Sequence, residues 1–101
     1  MLVFNTTYLV AKASENDFLA WMKAVYVPAV RKAGLLGAPR LYKVLVSEEE
    51  GITYSLQFDA ETVADMSKFK NQHLAGLEQM LFLRFGESVL HFSTYLKSCA
   101  I

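Results

Sequence analysis

Ile52-Thr53-Tyr54-Ser55-Leu56-Gln57-Phe58-Asp59 alternates apolar and polar side chains without a break. A β-strand sends successive side chains to opposite faces, so this stretch is a strand with one apolar face (Ile52, Tyr54, Leu56, Phe58) and one polar face (Thr53, Ser55, Gln57, Asp59). Such a strand belongs to a sheet packed on one side only. Just upstream, 39–47 reads as another strand. Glu48-Glu49-Glu50-Gly51 between them is a short, solvated, glycine-ended turn, which makes the pair a hairpin.

Working outward, 15–33 carries Phe18, Trp21, Met22, Val25 and Ala29 at three- and four-residue steps, the stripe of an amphipathic helix. Ser14 with Asp17 forms a capping-box-like start. Pro28 removes a backbone donor inside the pattern and predicts a kink over 24–27. Gly34, after Arg31 and Lys32, suits the helix end. Before this helix, 2–11 is a strand with Phe4, Tyr8 and Val10 on one side and Val3, Asn5, Thr7 and Leu9 on the other. Downstream, Thr62 with Asp65 opens a second helix whose stripe is Val63, Met66, Phe69, His73, Leu77 and Met80, ending near Gly86. The last strand, 88–98, sets Leu90, Phe92 and Leu96 against His91, Ser93, Tyr95 and Lys97.

The order is β-α-β-β-α-β, in a single domain spanning 1–101. Right-handed crossovers put both helices on one face of a four-stranded antiparallel sheet with strand order 4-1-3-2, the α+β ferredoxin-like architecture. The helices need an apolar partner, so the Ile52 set and the set Leu90, Phe92 and Leu96 are expected to face them. The other face then carries Asn5, Thr7, Thr53, Ser55, Gln57, His91, Ser93 and Tyr95, and must meet solvent, a ligand or a partner chain.

Composition narrows the function classes. At 53% hydrophobic the chain exceeds the usual ~45–50% of soluble domains, which predicts a subunit interface in addition to a core. Ten basic and ten acidic residues cancel. With no basic stripe, nucleic acid is not an expected partner. The one cysteine, Cys99, reads as a spectator thiol, and the N-terminal segment lacks the pattern of a signal peptide. No apolar run reaches the length of a membrane span. A cytoplasmic protein is the default expectation. His73 and His91 lack close acidic or thiol partners in sequence, so no zinc site is predicted, and no glycine-rich phosphate loop or other cofactor motif stands out.

Val3-Phe4-Asn5, Trp21-Met22 with Pro28 and Val30 downstream, the run from Gly51 to Phe58, His73, and Phe92-Ser93-Thr94 together resemble, in order and spacing, the domain-of-unknown-function family numbered 4286. The likeness runs nearly end to end. That family is similar to the dimeric α/β-barrel superfamily, which includes antibiotic-biosynthesis and haem-degrading monooxygenases. The resemblance implies a homodimer with two sheets packed face to face. The family often has histidine immediately before the Ile/Val-Pro pair of its first helix, where this chain has Tyr26.

Two constellations could carry chemistry. Haem-degrading relatives use an asparagine on the first strand and a tryptophan and a histidine on the second helix. Here Asn5 and His73 stand in similar places, and the only tryptophan, Trp21, is on the first helix. Imidazole is a common axial ligand of haem iron, and an amide can bond a distal oxygen species. Against this, His73 can be a packed histidine on an apolar stripe, and Asn5 an amide bonded to a neighbouring strand or across a dimer. The second constellation, His91, Tyr95, Ser93 and Gln57, would be a small-molecule cleft or a wet dimer interface. Trp21 and Phe18 read first as core, with Trp21 a candidate wall of a ligand site. Three function classes remain: a small-molecule-binding homodimer, a monooxygenase-like or haem-handling enzyme working between sheet and helices, and an assembly module.

Overall fold

A computed structural model describes residues 1–45 and 50–101. Strand β1 (Leu2–Val10) lies inside a four-stranded antiparallel sheet with β2 (Gly37–Lys43), β3 (Ile52–Ala60) and β4 (Val89–Lys97), in the order β2-β3-β1-β4. This is the predicted 4-1-3-2 order and the ferredoxin-like arrangement. The expected strand end at 46–47 and turn residues 48–49 lie outside the described residues. β2 begins two residues earlier than its sequence pattern suggests, because its pairing with β3 shifts register between Gly37 and Arg40. Ala38, within that irregularity, takes a φ of 51°, a left-handed conformation that few non-glycine residues adopt.

Both helices cover one sheet face, and each contains a π-turn. Glu15–Trp21, Met22–Tyr26 and Val27–Lys32 run end to end as α1, with the middle segment π-helical. Val63–Phe69, Lys70–Leu74 and Ala75–Phe85 do the same as α2. In α1 the kink expected over 24–27 takes the form of this wider turn over Met22–Tyr26. A regular α-helix would drive the proline ring into the carbonyl of Ala24, and the turn before it, in which the Val27 N–H reaches back to the Met22 carbonyl, makes room. Thr62 caps α2 as its sequence predicts, its hydroxyl accepting from the Asp65 N–H at 3.0 Å. Ser14 makes no such bond, because a 3₁₀ turn over Lys12–Ser14 leads into α1 instead.

Each π-turn adds a residue to the helical repeat and so rotates the turns beyond it. In α1 the inward position passes from Val25, which is exposed, to the buried Tyr26, and then to Val30. In α2 it passes from His73 to Leu74, and from Met80 to Leu81 and Phe85, while Val63 and Met80 face outward. The stripes projected at a uniform 3.6-residue period therefore hold at Phe18, Met22, Met66, Phe69 and Leu77 and fail at Val25, Val63 and Met80.

Phe4, Tyr8, Val10, Tyr54, Leu56 and Phe58 meet Phe18, Met22, Phe69, Leu77 and Leu81 in one core. Its centre is aromatic: Phe18 lies 5.2 Å from Tyr8 and 5.5 Å from Tyr54, and Phe4 lies 5.5 Å from Phe69. Tilted rings at such spacings add attraction beyond area burial. At the rim, the Tyr54 hydroxyl donates to Glu15 at 2.6 Å and Lys43 approaches the same carboxylate at 3.1 Å, tying the start of α1 to β2 and β3.

β4 reverses the sequence expectation. It pairs Val3 with Leu96, Thr7 with Phe92 and Leu9 with Leu90, whereas Phe4 faces Tyr95, Thr6 faces Ser93 and Tyr8 faces His91. Cross-strand partners point the same way. Leu90, Phe92 and Leu96 thus lie on the open face, and His91, Ser93 and Tyr95 on the helix face. A one-residue slip would exchange the two sets. The nine-residue ladder with β1 excludes that slip, because it would turn Val89, now buried, away from the core.

Candidate functional site

On the open face, alternate residues of adjacent strands build a continuous polar band. Asn5, at the centre, accepts from the Ser55 hydroxyl at 2.6 Å and donates to Thr7 at 3.3 Å and Thr94 at 3.2 Å. Gln57 donates to Ser55 at 3.4 Å, and Arg40 reaches Gln57 at 3.5 Å and pairs with Asp59 at 3.0 Å. Both ends of the Asn5 amide are engaged within the chain, so it holds three strands together. Beside the band stands an apolar strip. Leu90, Phe92 and Leu96 are 56%, 62% and 46% exposed, unusual for three apolar side chains on one strand face. A recess of about 410 Å³ between Thr7, Leu9, Thr53, Leu90, His91 and Phe92 marks one end of this face.

On the helix face, a polar cluster interrupts the aromatic core. Tyr8 is fully buried, and its hydroxyl has no hydrogen-bond partner among the described residues. The hydroxyls of Tyr26 and Thr6 act on it without completing a bond of good geometry. Burial pushes it well above the usual tyrosine value, with Tyr26 and Glu78 adding to the effect electrostatically. Burial likewise raises Tyr26, helped by Glu78, and raises the more open Tyr95, again with Glu78 contributing. One carboxylate on α2 therefore acts on three phenols from β1, α1 and β4. His91 approaches the same carboxylate, its Nδ1 3.8 Å from Glu78, and its ring centre is 6.1 Å from that of Tyr8. Thr6 and Ser93 share a hydroxyl–hydroxyl bond of 2.9 Å on the same face. Raised phenols remain protonated at neutral pH and can donate.

The residues singled out from sequence are distributed between these regions. Gln57 and Asn5 belong to the open-face band. His91 and Tyr95, expected beside them, lie on the other side of the sheet. His91 joins the buried cluster, and Tyr95 packs on Phe4 at 5.3 Å under the ammonium of Lys70. His73 sits in the π-turn of α2, stacked on Phe69 at 5.9 Å and beside a recess of about 310 Å³ formed with Ala29, Lys32 and Ala33. Asn5 and His73 are thus separated by the sheet within one chain. Trp21 is wedged between Tyr26 at 5.7 Å and Phe85 at 5.6 Å, next to the cluster. Sequence reasoning missed Tyr8, Tyr26 and Glu78. Two signals were available: a phenol, Tyr8, at an apolar-parity position of β1, and Tyr26 at the position where the family often has histidine.

The topology and the arrangement of sheet and helices define a ferredoxin-like α+β protein. The chain belongs to the family described as domain of unknown function DUF4286, whose model matches residues 1–99. No curated protein matches its sequence. Solved structures share the fold. An ethyl tert-butyl ether d (EthD) family protein from Bacillus halodurans superposes with a TM-score of 0.71 at 11% identity, over 98% of this chain and all of its own. A protein assigned to the antibiotic biosynthesis monooxygenases, from Deinococcus radiodurans, gives 0.70 at 11% identity, over 100% of this chain and 95% of its own. A dimeric ferredoxin-like protein from an uncultured marine organism gives 0.61 at 13% identity, over 94% and 91%. Among the described residues no helix is long and apolar enough to cross a membrane, and no three His, Cys, Asp or Glu side chains gather to hold a metal ion.

Proposed function

We propose that this chain works as a cytoplasmic homodimer, two sheets packed open face to open face, and that the dimer binds a small molecule between sheet and helices. The observation that carries the proposal is the strip Leu90, Phe92 and Leu96, exposed beside a polar band centred on Asn5 whose side chains are already bonded to one another. Covering it removes apolar surface from water without stranding a donor or acceptor. A structural neighbour described as dimeric supports a dimer, and an exposed, unpaired Cys99 suits a reducing compartment.

Light scattering at micromolar concentration tests the dimer. The expected mass is that of two chains, falling to one in Phe92→Glu with the far-ultraviolet spectrum retained. A single-chain mass for the unaltered protein sinks it. A melting-temperature screen against neutral, anionic and cationic fragments tests binding. If none raises the melting temperature, the small-molecule half fails and an assembly module remains.

The likeness to a monooxygenase-assigned structure supports a second reading, a monooxygenase-like or haem-handling protein with His73 and Asn5 as first candidates. Its test is a hemin titration. A saturable Soret shift abolished in His73→Ala favours it, and a shift indifferent to His73 removes it.

A further inference from the structure

Leu41 is the misfit of the covered face. It pairs with Leu56 across β2 and β3, so both side chains point at the helices, yet Leu56 is 2% exposed and Leu41 39%. The helix layer stops short of the β2 edge. What remains there is a recess of about 270 Å³ between α1 and β2, with Leu19, Met22, Val27, Pro39, Leu41 and Leu56 in its walls. Two local irregularities frame it. The π-turn of α1 holds Met22, and the register shift of β2 between Gly37 and Arg40 holds Pro39. Both kinds of irregularity recur beside functional sites, where they re-aim side chains.

The recess has one uncommitted charge. Lys23, exposed and in the same π-turn, borders it. It makes no ion pair among the described residues. Arg40 borders it too, but its guanidinium is engaged by the Ala38 carbonyl at 2.7 Å, Gln57 at 3.5 Å and Asp59 at 3.0 Å. Among the described residues no aspartate or glutamate lines the recess.

We propose that this recess binds a small aliphatic monocarboxylate, with its chain against Leu19, Met22, Val27 and Leu56 and its carboxylate on the Lys23 ammonium. This rests on the small-molecule half of the function proposed above and names the ligand class and its place. Three features set the class. The walls are aliphatic and hold no aromatic ring, so a chain gains by leaving water there. The volume lies just under the roughly 300 Å³ at which drug-sized sites begin, which keeps the chain short. One unpaired cation with no carboxylate beside it favours a single negative charge over a neutral or positive head. The recess is on the helix side of the sheet, so packing two open faces together leaves it accessible.

Octanoate is the probe, followed at constant ionic strength by amide proton–nitrogen correlation spectra of the intact protein. Octanol and octylammonium change the head group, and acetate lacks the chain. Saturable octanoate shifts are expected at the amides of Leu19, Met22, Lys23, Val27 and Leu41, with each comparator binding more weakly. Lys23 is exposed and unpaired, so Lys23→Met should keep the spectrum of the folded protein. Its affinity for octanoate should fall about fivefold, the worth of one exposed ion pair. Leu41→Trp fills the recess and should abolish binding; should that variant misfold, Lys23→Met decides the case. Absence of shifts, shifts that map elsewhere, unchanged affinity in Lys23→Met, octanoate binding retained in a folded Leu41→Trp, or equal or tighter binding of any comparator each overturns the inference. Light scattering on the same samples reports the dimer separately. A fragment of another class that raises the melting temperature, with octanoate silent, sinks the ligand class and leaves the proposed function standing.

Discussion

Along β1, even-numbered and odd-numbered side chains meet opposite conditions. Phe4, Thr6, Tyr8 and Val10 point at the helices and are buried, yet this face holds a hydroxyl with no hydrogen-bond partner among the described residues. Val3, Asn5, Thr7 and Leu9 point to the open side, where the polar groups are bonded and the apolar neighbours on β4 lie bare. One face is covered and incompletely satisfied; the other is satisfied and incompletely covered. The difference separates two requirements that are often treated as one. Burial of apolar area and pairing of polar groups are independent demands, and a face that meets only one points to what is needed to meet the other: a donor's partner on one side, a second surface on the other.

The contrast can be broken from either side. Phe18→Ala opens a void among Tyr8, Tyr54 and Phe85, and urea unfolding should show a loss of about 3–5 kcal/mol. Asn5→Ala strands the hydroxyls of Ser55 and Thr94 beneath the open face and should cost about 1–3 kcal/mol by the same measurement. If Asn5→Ala is neutral, the band is not what joins the strands.

Alkaline pH sharpens the comparison without a mutation. Tyr54 is pushed up to about 12 by burial and by its bond to Glu15, against an ordinary value of 10.0. Tyr8, Tyr26 and Tyr95 are raised too, each by burial first. A raised phenol binds its proton more tightly when folded. Its contribution to stability is therefore complete below the unfolded value and is lost as pH rises through the folded one. Stability should hold to about pH 10 and decline above it, with tyrosinate absorbance of the native protein lagging behind that of the unfolded chain. Equal titration of both states would refute the burial of these phenols.

The smallest effect is the most pointed. Tyr8→Phe deletes a hydroxyl with no well-formed hydrogen bond among the described residues, so stability should change by no more than about 0.5 kcal/mol, or rise slightly. A large loss would mean that the hydroxyl is partnered after all.

The strand order, the hairpin and the position of both helices were legible from period-two and near-four spacing, with the β3 stretch fixing the side that faces the helices. The orientation of β4 was not. Leu90, Phe92 and Leu96 look like a core set in sequence, and only the ladder with β1 shows them turned outward. An apolar alternation says that a face is to be covered without saying by what. Val25 and Met80 were misplaced in the helical stripes because no local signal marks the π-turn of α2, and the one in α1 resembles a proline kink. Of the site, His91 was legible as a residue type but was placed with the wrong neighbours. Tyr8, Tyr26 and Glu78 are ordinary side chains on separate elements, and only the fold makes them one group.

The π-turns also bear on which length changes the chain can tolerate. In a surface loop, losing one residue shortens a connection and little else. Within 22–26 or 70–74 the same deletion would let the helix close into regular α turns and leave the later side chains on their present face, because the π-turn already holds the extra residue. In the regular turns of either helix, one residue fewer would swing every later side chain by about 100° and turn Val30 or Leu81 out of the core. For these two segments, a single-codon deletion is a change of length rather than of direction.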